Sequence, residues 1–371
     1  MRDNQPIIRT IDLKNYKCHS HFYEELNTLT ILAGENSVGK SSVIQSLLLY
    51  DAAMRSSDGT VFTLDVGGIN LGKASGMITE SSGSEHTEIT LGMNESENRF
   101  QLSVADSNDI SFKISDKSID KEDHFKMFYV NAERLGPRAY NNISSSDPFY
   151  VGTHGENTLY VINQLDILMK KPEYSENEGK KKWESFSEGS RFSAIVEECL
   201  QTIIPGTKLN VTTDPEQGTS SVRFTNGSGI SVIPTATGFG ITYVLPVIVQ
   251  ALASLLFTDS LLIIENPEAH LHPYSQSQLG RFLAKISSFG AQTIIETHSE
   301  HIINGCRLEL AKLNQSDIAN IIFFSRDIET SESSHTLIKI DEAGELTVWP
   351  KGFFDQSEKD LFEVVKNKCR R

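Results

Sequence analysis

The chain has 371 residues, 38% of them hydrophobic, enough to bury one large core or two ordinary ones. No apolar run approaches the ~18 residues of a membrane span, and the first twenty residues, MRDNQPIIRTIDLKNYKCHS, hold no signal-peptide core, so a cytoplasmic protein with no membrane contact is expected. A net charge of −15, from 34 basic against 49 acidic residues, argues against strong autonomous binding to nucleic acid and leaves open only a contact through a local basic patch.

In chain order, IIRTIDL (7–13) and TLTILA (28–33) predict strands rich in Ile, Leu and Thr. SSVIQSLLLYDAAM (41–54) carries apolar residues at helical spacing without Pro or Gly and predicts a helix. The Ser- and Gly-punctuated stretch 57–118 predicts antiparallel strands, and FKMFYV (125–130) one more strand. Residues 155–205 read as charged helices around a solvated centre, KKPEYSENEGKKKWES (170–185), the best candidate for an insertion that meets a partner. Short strands with an NGSG turn are predicted over 207–233.

Strand–helix alternation follows: a Gly-containing loop (237–240), an apolar helix (241–257), a strand (260–265), a helix (273–288), a strand (292–297) and a helix from about 299. That order indicates a parallel, buried sheet. The tail predicts strands at IIFFSRD, LIKIDE and ELTVWP and a last helix over 356–367. Cys18, Cys199, Cys306 and Cys369 are scattered and form no CxxC, which fits thiols in a reducing compartment.

GENSVGKS, Gly34 to Ser41, fits G-x-x-x-x-G-K-[ST] in full, after a predicted strand and at the opening of a predicted helix. The glycines Gly34 and Gly39 let the backbone wrap, so that N–H groups along Asn36, Ser37 and the helix start at Ser42 aim at phosphate oxygens. Lys40 reaches the outer phosphates as a point charge, and the Ser41 hydroxyl ligates Mg²⁺. A chance Gly-rich turn would not meet all these conditions together.

Such a loop needs a second acid at the end of an apolar strand. LLIIENPEAHLHP (261–273) supplies Glu265 in that place. The same stretch read alone resembles a zinc site, since His270 and His272 make H-x-H beside Glu268, but no third ligand stands at suitable spacing. Pro273 suits a first helical turn.

Taken together, ENPEAHLHP (265–273), ETHSEHIING (296–305) and WPKGFFDQ (349–356) resemble bacterial AAA-type ATPases of the ABC superfamily, in the branch of RecF, SMC heads and overcoming-lysogenization-defect (OLD) proteins. The resemblance runs nearly end to end. It implies an α/β fold: an ABC-type ATPase head with a mixed or parallel central sheet, an antiparallel β lobe, a helical insertion and a small C-terminal α+β module. The implied division is 1–150 (Walker A and antiparallel lobe), 151–233 (insertion), 234–325 (signature, Walker B and switch histidine) and 326–371 (C-terminal module).

Residue by residue, the resemblance makes Lys40 and Ser41 Walker A, Glu265 the Walker B acid, and His298 the switch histidine that senses the γ-phosphate. Ser41 and Glu265 would hold Mg²⁺. Thr237, Gly238 and Gly240 of TGFG form a degenerate signature that clamps ATP bound to the other protomer, which implies a two-fold homodimer closed by nucleotide. Glu133 and Arg134 lie where a Q-loop-like segment would join the lobes, and Tyr16 is a candidate for stacking on adenine or for the core. The HLHP histidines would sit at the dimer seam or beside the phosphates.

One position departs from the pattern. The glutamate that activates water in ABC ATPases is here Asn266. A carboxamide takes up no proton near neutral pH, though it orients water as a Gln does in small GTPases. Either Glu268 supplies the base, the favoured reading, or Glu296 does, or hydrolysis is slow and ATP acts as a dimer glue.

The expected function is a slow ATP-hydrolysing switch in a bacterial anti-phage defence complex with a separate effector nuclease. The stretch after His298 shows neither a Toprim-type DxD nor an HNH-like cluster. The alternative is a RecF- or Rad50-like role in DNA repair or chromosome maintenance. The acidic charge and the lack of a heptad arm count against it. A metal-dependent hydrolase built on ENPEAHLH would leave the complete phosphate loop without a purpose.

Overall fold

The computed structural model describes residues 5–368 except 80–82, 94–95, 106–107, 121–124, 144–146, 175–176, 190, 226, 228 and 327–332. Cys369 and parts of the NGSG turn and of the 170–185 stretch therefore lie outside the described residues. Among the described residues, no helix is long and apolar enough to cross a membrane.

The chain opens with a hairpin, β1 (Thr10–Tyr16) and β2 (His19–Glu25), then β3 (Leu29–Gly34) and α1 (Lys40–Met54). Next come β4 (Val61–Thr63), a two-stranded ribbon of β5 (Asp65–Val66) and β6 (Ile69–Asn70), and the meander β7 (His86–Gly92), β8 (Glu97–Val104) and β9 (Ser111–Ser118). β10 (Lys126–Val130) and β11 (Asn141–Asn142) lead to α2 (Thr158–Leu168), α3 (Glu178–Trp183) and α4 (Phe192–Ile203). β12 (Lys208–Asp214), β13 (Thr219–Thr225) and β14 (Ser231–Val232) precede α5 (Phe239–Ser254). The alternation then runs β15 (Ser260–Glu265), α6 (Pro273–Ser288), β16 (Gln292–Glu296), α7 (Glu300–Leu313) and β17 (Ala319–Arg326). β18 (Ser333–Lys339) and α8 (Gln356–Lys368) complete it.

Two six-stranded sheets organise these elements. The central one has the order β10-β15-β16-β3-β17-β18, parallel except for β18. The other, β2-β1-β7-β8-β9-β4, is antiparallel. Both faces of the central sheet are buried, which explains its unbroken apolar runs. In β15, Leu261 and Ile263 face the core shared with α1 and the antiparallel sheet, while Leu262 and Ile264 face the core under α2, α4, α5, α6 and α7. Lying between two apolar layers, α1 buries residues all round its circumference.

Buried amides stitch the layers where no strand partner is at hand. Gln292 accepts from the Ile8 N–H at 3.0 Å and donates to the Ile8 carbonyl at 2.7 Å, as a strand neighbour would. Gln250 does the same for Val151 and Phe149. α6 crosses α7 at two glycines. A Cβ on Gly280 would lie 2.2 Å from the Ile302 carbonyl, and one on Gly305 2.2 Å from that of Ser277.

One expectation needs refinement and one needs correction. Among the described residues of the charged run 170–185, Lys170, Lys171, Glu173, Glu178, Lys181 and Glu184 are exposed as expected, yet the run is anchored to the body at two points. Trp183 is buried and donates to the Leu252 carbonyl at 2.9 Å, and Gly179 presses so close that a Cβ would meet the Leu255 carbonyl at 1.9 Å. One indole and one glycine outweigh the surrounding charge. In the tail, ELTVWP forms only a single bridge, Leu346 to Ile340, across a turn at Gly344. Val348 and Trp349 are exposed, and Pro350 has no N–H to give a ladder.

Candidate functional site

The phosphate loop joins the end of β3 to α1. Gly34 has φ 130° and Gly39 φ 107°, and neither place admits a side chain. A Cβ on Gly34 would sit 2.0 Å from the Phe324 carbonyl, and one on Gly39 2.5 Å from the His19 ring. Ser37 also has positive φ, and Arg326 at the end of β17 braces its carbonyl at 2.8 Å. Lys40 is buried and turns its ammonium onto the carbonyls of Gly34, at 3.1 Å, and Glu35. Burial lowers its pKa, against the pull of Glu296 and Glu35. An open cleft of about 500 Å³ lies over this loop, lined by Lys17, Cys18, Asn36, Ser37, Gly39, Lys40, Ser41, Ser42, Glu296 and His298.

The carboxyl ends of β15 and β16 place two acids side by side, Glu265 opposite Glu296 in register. Ser41 donates to Glu296, not to Glu265, with its hydroxyl 2.9 and 3.0 Å from the two carboxylate oxygens. Glu265 instead accepts from the Tyr129 hydroxyl at 3.0 Å. Burial raises the pKa of Glu265, and burial together with the Glu265 charge pushes Glu296 up to about 7. Oxygen is the only donor type in the set Ser41, Glu265 and Glu296, the chemistry magnesium takes. Among the described residues, no three His, Cys, Asp or Glu side chains group as a metal cage. Magnesium at a phosphate site asks for less, namely one or two carboxylates beside the phosphates.

Asn266 follows with φ 42°, a conformation Asn tolerates better than most residues. Its N–H donates to the Glu296 carbonyl at 2.8 Å, and its buried side-chain oxygen has no partner among the described residues. Arg134 clamps this turn from below. Its guanidinium is buried and donates to the carbonyls of Asn131, Glu265 and Asn266 at 2.9, 2.8 and 2.6 Å. Glu268 accepts the His298 backbone N–H at 2.7 Å through one oxygen, while its other oxygen is buried without a partner among the described residues. The exposed His298 side chain reaches the Gly34 backbone, and burial with the Lys40 charge lowers its pKa, favouring neutral imidazole.

Neither HLHP histidine faces this cleft. His272 caps α6 by accepting the Tyr274 N–H at 3.3 Å, and His270 packs its ring on Tyr243 and Phe239 at 4.6 and 5.4 Å. Thr237, Gly238 and Gly240 open α5 at the surface and do not line the cleft of their own chain. Gly240 is needed there for a close approach, since a Cβ would stand 2.8 Å from the His270 carbonyl. Glu133 is exposed, its carbonyl bonded to His154 at 2.6 Å. Tyr16 is wholly buried in the core under α1, which removes it as an adenine-stacking side chain.

Sequence reasoning overlooked Tyr129, Lys17, Cys18 and Arg326. For Tyr129 a signal existed: it is a polar-tipped aromatic near the carboxyl end of a parallel strand, where open α/β sheets place their ligands. Nothing in the sequence set Lys17 and Cys18 beside the phosphate loop, because the hairpin that carries them meets the loop through tertiary contacts of His19 and Cys18 with Gly39.

The family described as "AAA domain, putative AbiEii toxin, Type IV TA system" matches residues 29–304, well over half of the chain. One described as "Protein of unknown function (DUF3696)" matches residues 314–364. A search of curated proteins finds no match. Among solved structures, an SMC head bound to the C-terminal winged-helix domain of ScpA is similar at 13% identity and TM-score 0.54, over 91% of this chain and 99% of that one. A second, the Pyrococcus furiosus SMC head with an extended coiled coil bound to the C-terminal domain of ScpA, is similar at 12% identity and TM-score 0.52, over 97% and 99%. At such identities the likeness is one of fold. The chain belongs to the AbiEii-type AAA-domain family and has the fold of SMC heads.

Proposed function

We propose that this protein binds ATP with Mg²⁺ over the loop 34–41, pairs two-fold with a second copy through the nucleotide, and hydrolyses it slowly. The wrapped loop carries the reading, with Lys40 and Ser41 at its mouth facing two buried acids. Backbone N–H groups of the loop and the start of α1 receive phosphate oxygens, and Lys40 exchanges its carbonyl partners for them. The Ser41 hydroxyl and the acid pair at the ends of β15 and β16, Glu265 and Glu296, would hold the cation, which when bound neutralises charge on the phosphates. His298, neutral and anchored through its N–H by Glu268, donates to the outer phosphate.

Thr237, Gly238 and Gly240 stand clear of their own cleft, as a segment that completes the partner's site would. Asn266 orients water without taking its proton, so turnover is low. Glu268, two residues on and with one oxygen left unbonded by the His298 N–H, is the carboxylate assigned to accept that proton. We place such a switch in bacterial anti-phage defence, coupled to a separate effector nuclease. The family description, which names a toxin and a type IV toxin–antitoxin system, supports that setting.

The test is light scattering of the full chain with and without MgATP. Wild type should shift from monomer to dimer, and Lys40→Ala should stay monomeric with triphosphate affinity lost. A dimer that forms equally in Lys40→Ala sinks the reading. Tight DNA binding with a steep salt slope would favour a repair role instead.

A further inference from the structure

Glu296 is an acid that the motif order does not call for. The Walker B position is Glu265, at the end of β15, yet β15 and β3 are not neighbours, because β16 runs between them. The register sets Glu296 beside Glu265 on one side and beside Leu32 of β3 on the other. Glu296 is therefore one strand nearer to the phosphate loop. Ser41 reflects this, giving its hydrogen to Glu296 while Glu265 is taken from behind by Tyr129. Of the two acids, only Glu296 lines the cleft.

The arrangement costs stability. Glu296 is 6% exposed and stands next to a second carboxylate, where Gln would donate and accept without the charge. A hydroxyl that donates its hydrogen to a carboxylate keeps its lone pairs for a cation. The carboxylate in turn keeps lone pairs on both oxygens, since an ionised acid offers about four. We propose that Glu296, together with Ser41, is the direct protein ligand of the divalent cation that accompanies a bound nucleoside triphosphate, and that Glu265 acts from behind it. The proposal rests on the nucleotide-binding reading above.

The experiment titrates a non-hydrolysable ATP analogue into the full chain by calorimetry, with Mg²⁺ and with EDTA. Mn²⁺ electron paramagnetic resonance then reports the metal itself. Wild type should bind the analogue more tightly with Mg²⁺. Glu296→Gln should lose at least about tenfold of that metal-dependent gain, and its affinity in EDTA should be equal or higher, because a negative charge near the phosphates is gone. General damage to the fold would weaken both. Glu296→Asp, which keeps the charge, should restore part of the gain, and Glu265→Gln should lose less than Glu296→Gln.

A Glu296→Gln protein with the full Mg²⁺ gain and an unchanged Mn²⁺ signal overturns the assignment. So does a gain abolished by Glu265→Gln alone. Wild type that binds no triphosphate in either buffer overturns the nucleotide reading itself, and this assignment with it.

Discussion

In metal-free buffer, Glu296→Gln should make the protein more stable above neutral pH. Burial and the neighbouring Glu265 push the Glu296 carboxyl up to about 7, from an ordinary 4.5. Between these values the folded chain holds a proton that the unfolded chain has released. The stability linked to this group is complete below 4.5, falls as pH rises, and is gone above about 7. A gap of that size corresponds to about 3 kcal/mol. Gln carries no charge at any pH and keeps an acceptor for Ser41, much as the protonated carboxyl does. The expected gain is therefore about 3 kcal/mol at about pH 8, shrinking to nearly nothing near pH 4.5, where wild type is itself neutral at this position. Urea unfolding in EDTA across that range reads it as a shift of midpoint at constant slope. A variant whose stability runs parallel to wild type over the whole range would refute the argument, for then no carboxyl at 296 titrates differently on folding.

Two further outcomes bear on the turn after β15. Arg134→Lys replaces a planar fork holding three carbonyls by a single ammonium; ATP affinity should hold within about twofold while turnover falls toward ~10²-fold, as misplacement of a catalytic turn by a fraction of an ångström does. Equal turnover in this variant would show that the turn keeps its shape without the clamp. Glu268→Gln keeps the acceptor for the His298 N–H but removes the charge; if this carboxylate takes the proton from water, steady-state hydrolysis should drop about 10²-fold, and unchanged turnover would remove that role.

What the sequence made legible was local. The phosphate loop could be read because every one of its requirements falls within eight consecutive residues, Gly34 to Ser41. Strands β15 and β16 could be read because both of their faces are buried, and α6 because Pro273 opens it. Illegible features depend on which strand lies beside which. No pattern in ETHS reveals that β16 separates β15 from β3, and that order alone hands Ser41 to Glu296. The Arg134 clamp joins carbonyls at 131, 265 and 266, and carbonyls have no sequence signature. Trp183 misled in the other direction: a run of lysines and glutamates hid a single indole that anchors α3 to the body. Pro350 in ELTVWP was a warning against a strand, outweighed by the β-prone residues before it.

The missing acid at 266 and the extra acid at 296 are one structural fact seen at two places. The Asn266 N–H donates to the Glu296 carbonyl at 2.8 Å, so the two residues close adjacent strand ends. Restoring an acid by Asn266→Glu would set a third carboxylate beside Glu265 and Glu296, where the Glu265 charge already pushes the Glu296 carboxyl up. It would also ask Glu to adopt φ 42°, which costs a non-glycine residue roughly 1–2 kcal/mol, less for Asn. Repulsion and backbone strain separate in a double-mutant cycle. Asn266→Glu alone should destabilise the metal-free protein above neutral pH by more than the strain. Combined with Glu296→Gln it should lose only the strain, giving a coupling of roughly 1 kcal/mol or more that vanishes near pH 4.5, where the acids are protonated. Additive effects at every pH would mean that the three positions do not share a field, and that Asn266 is explained by its backbone alone.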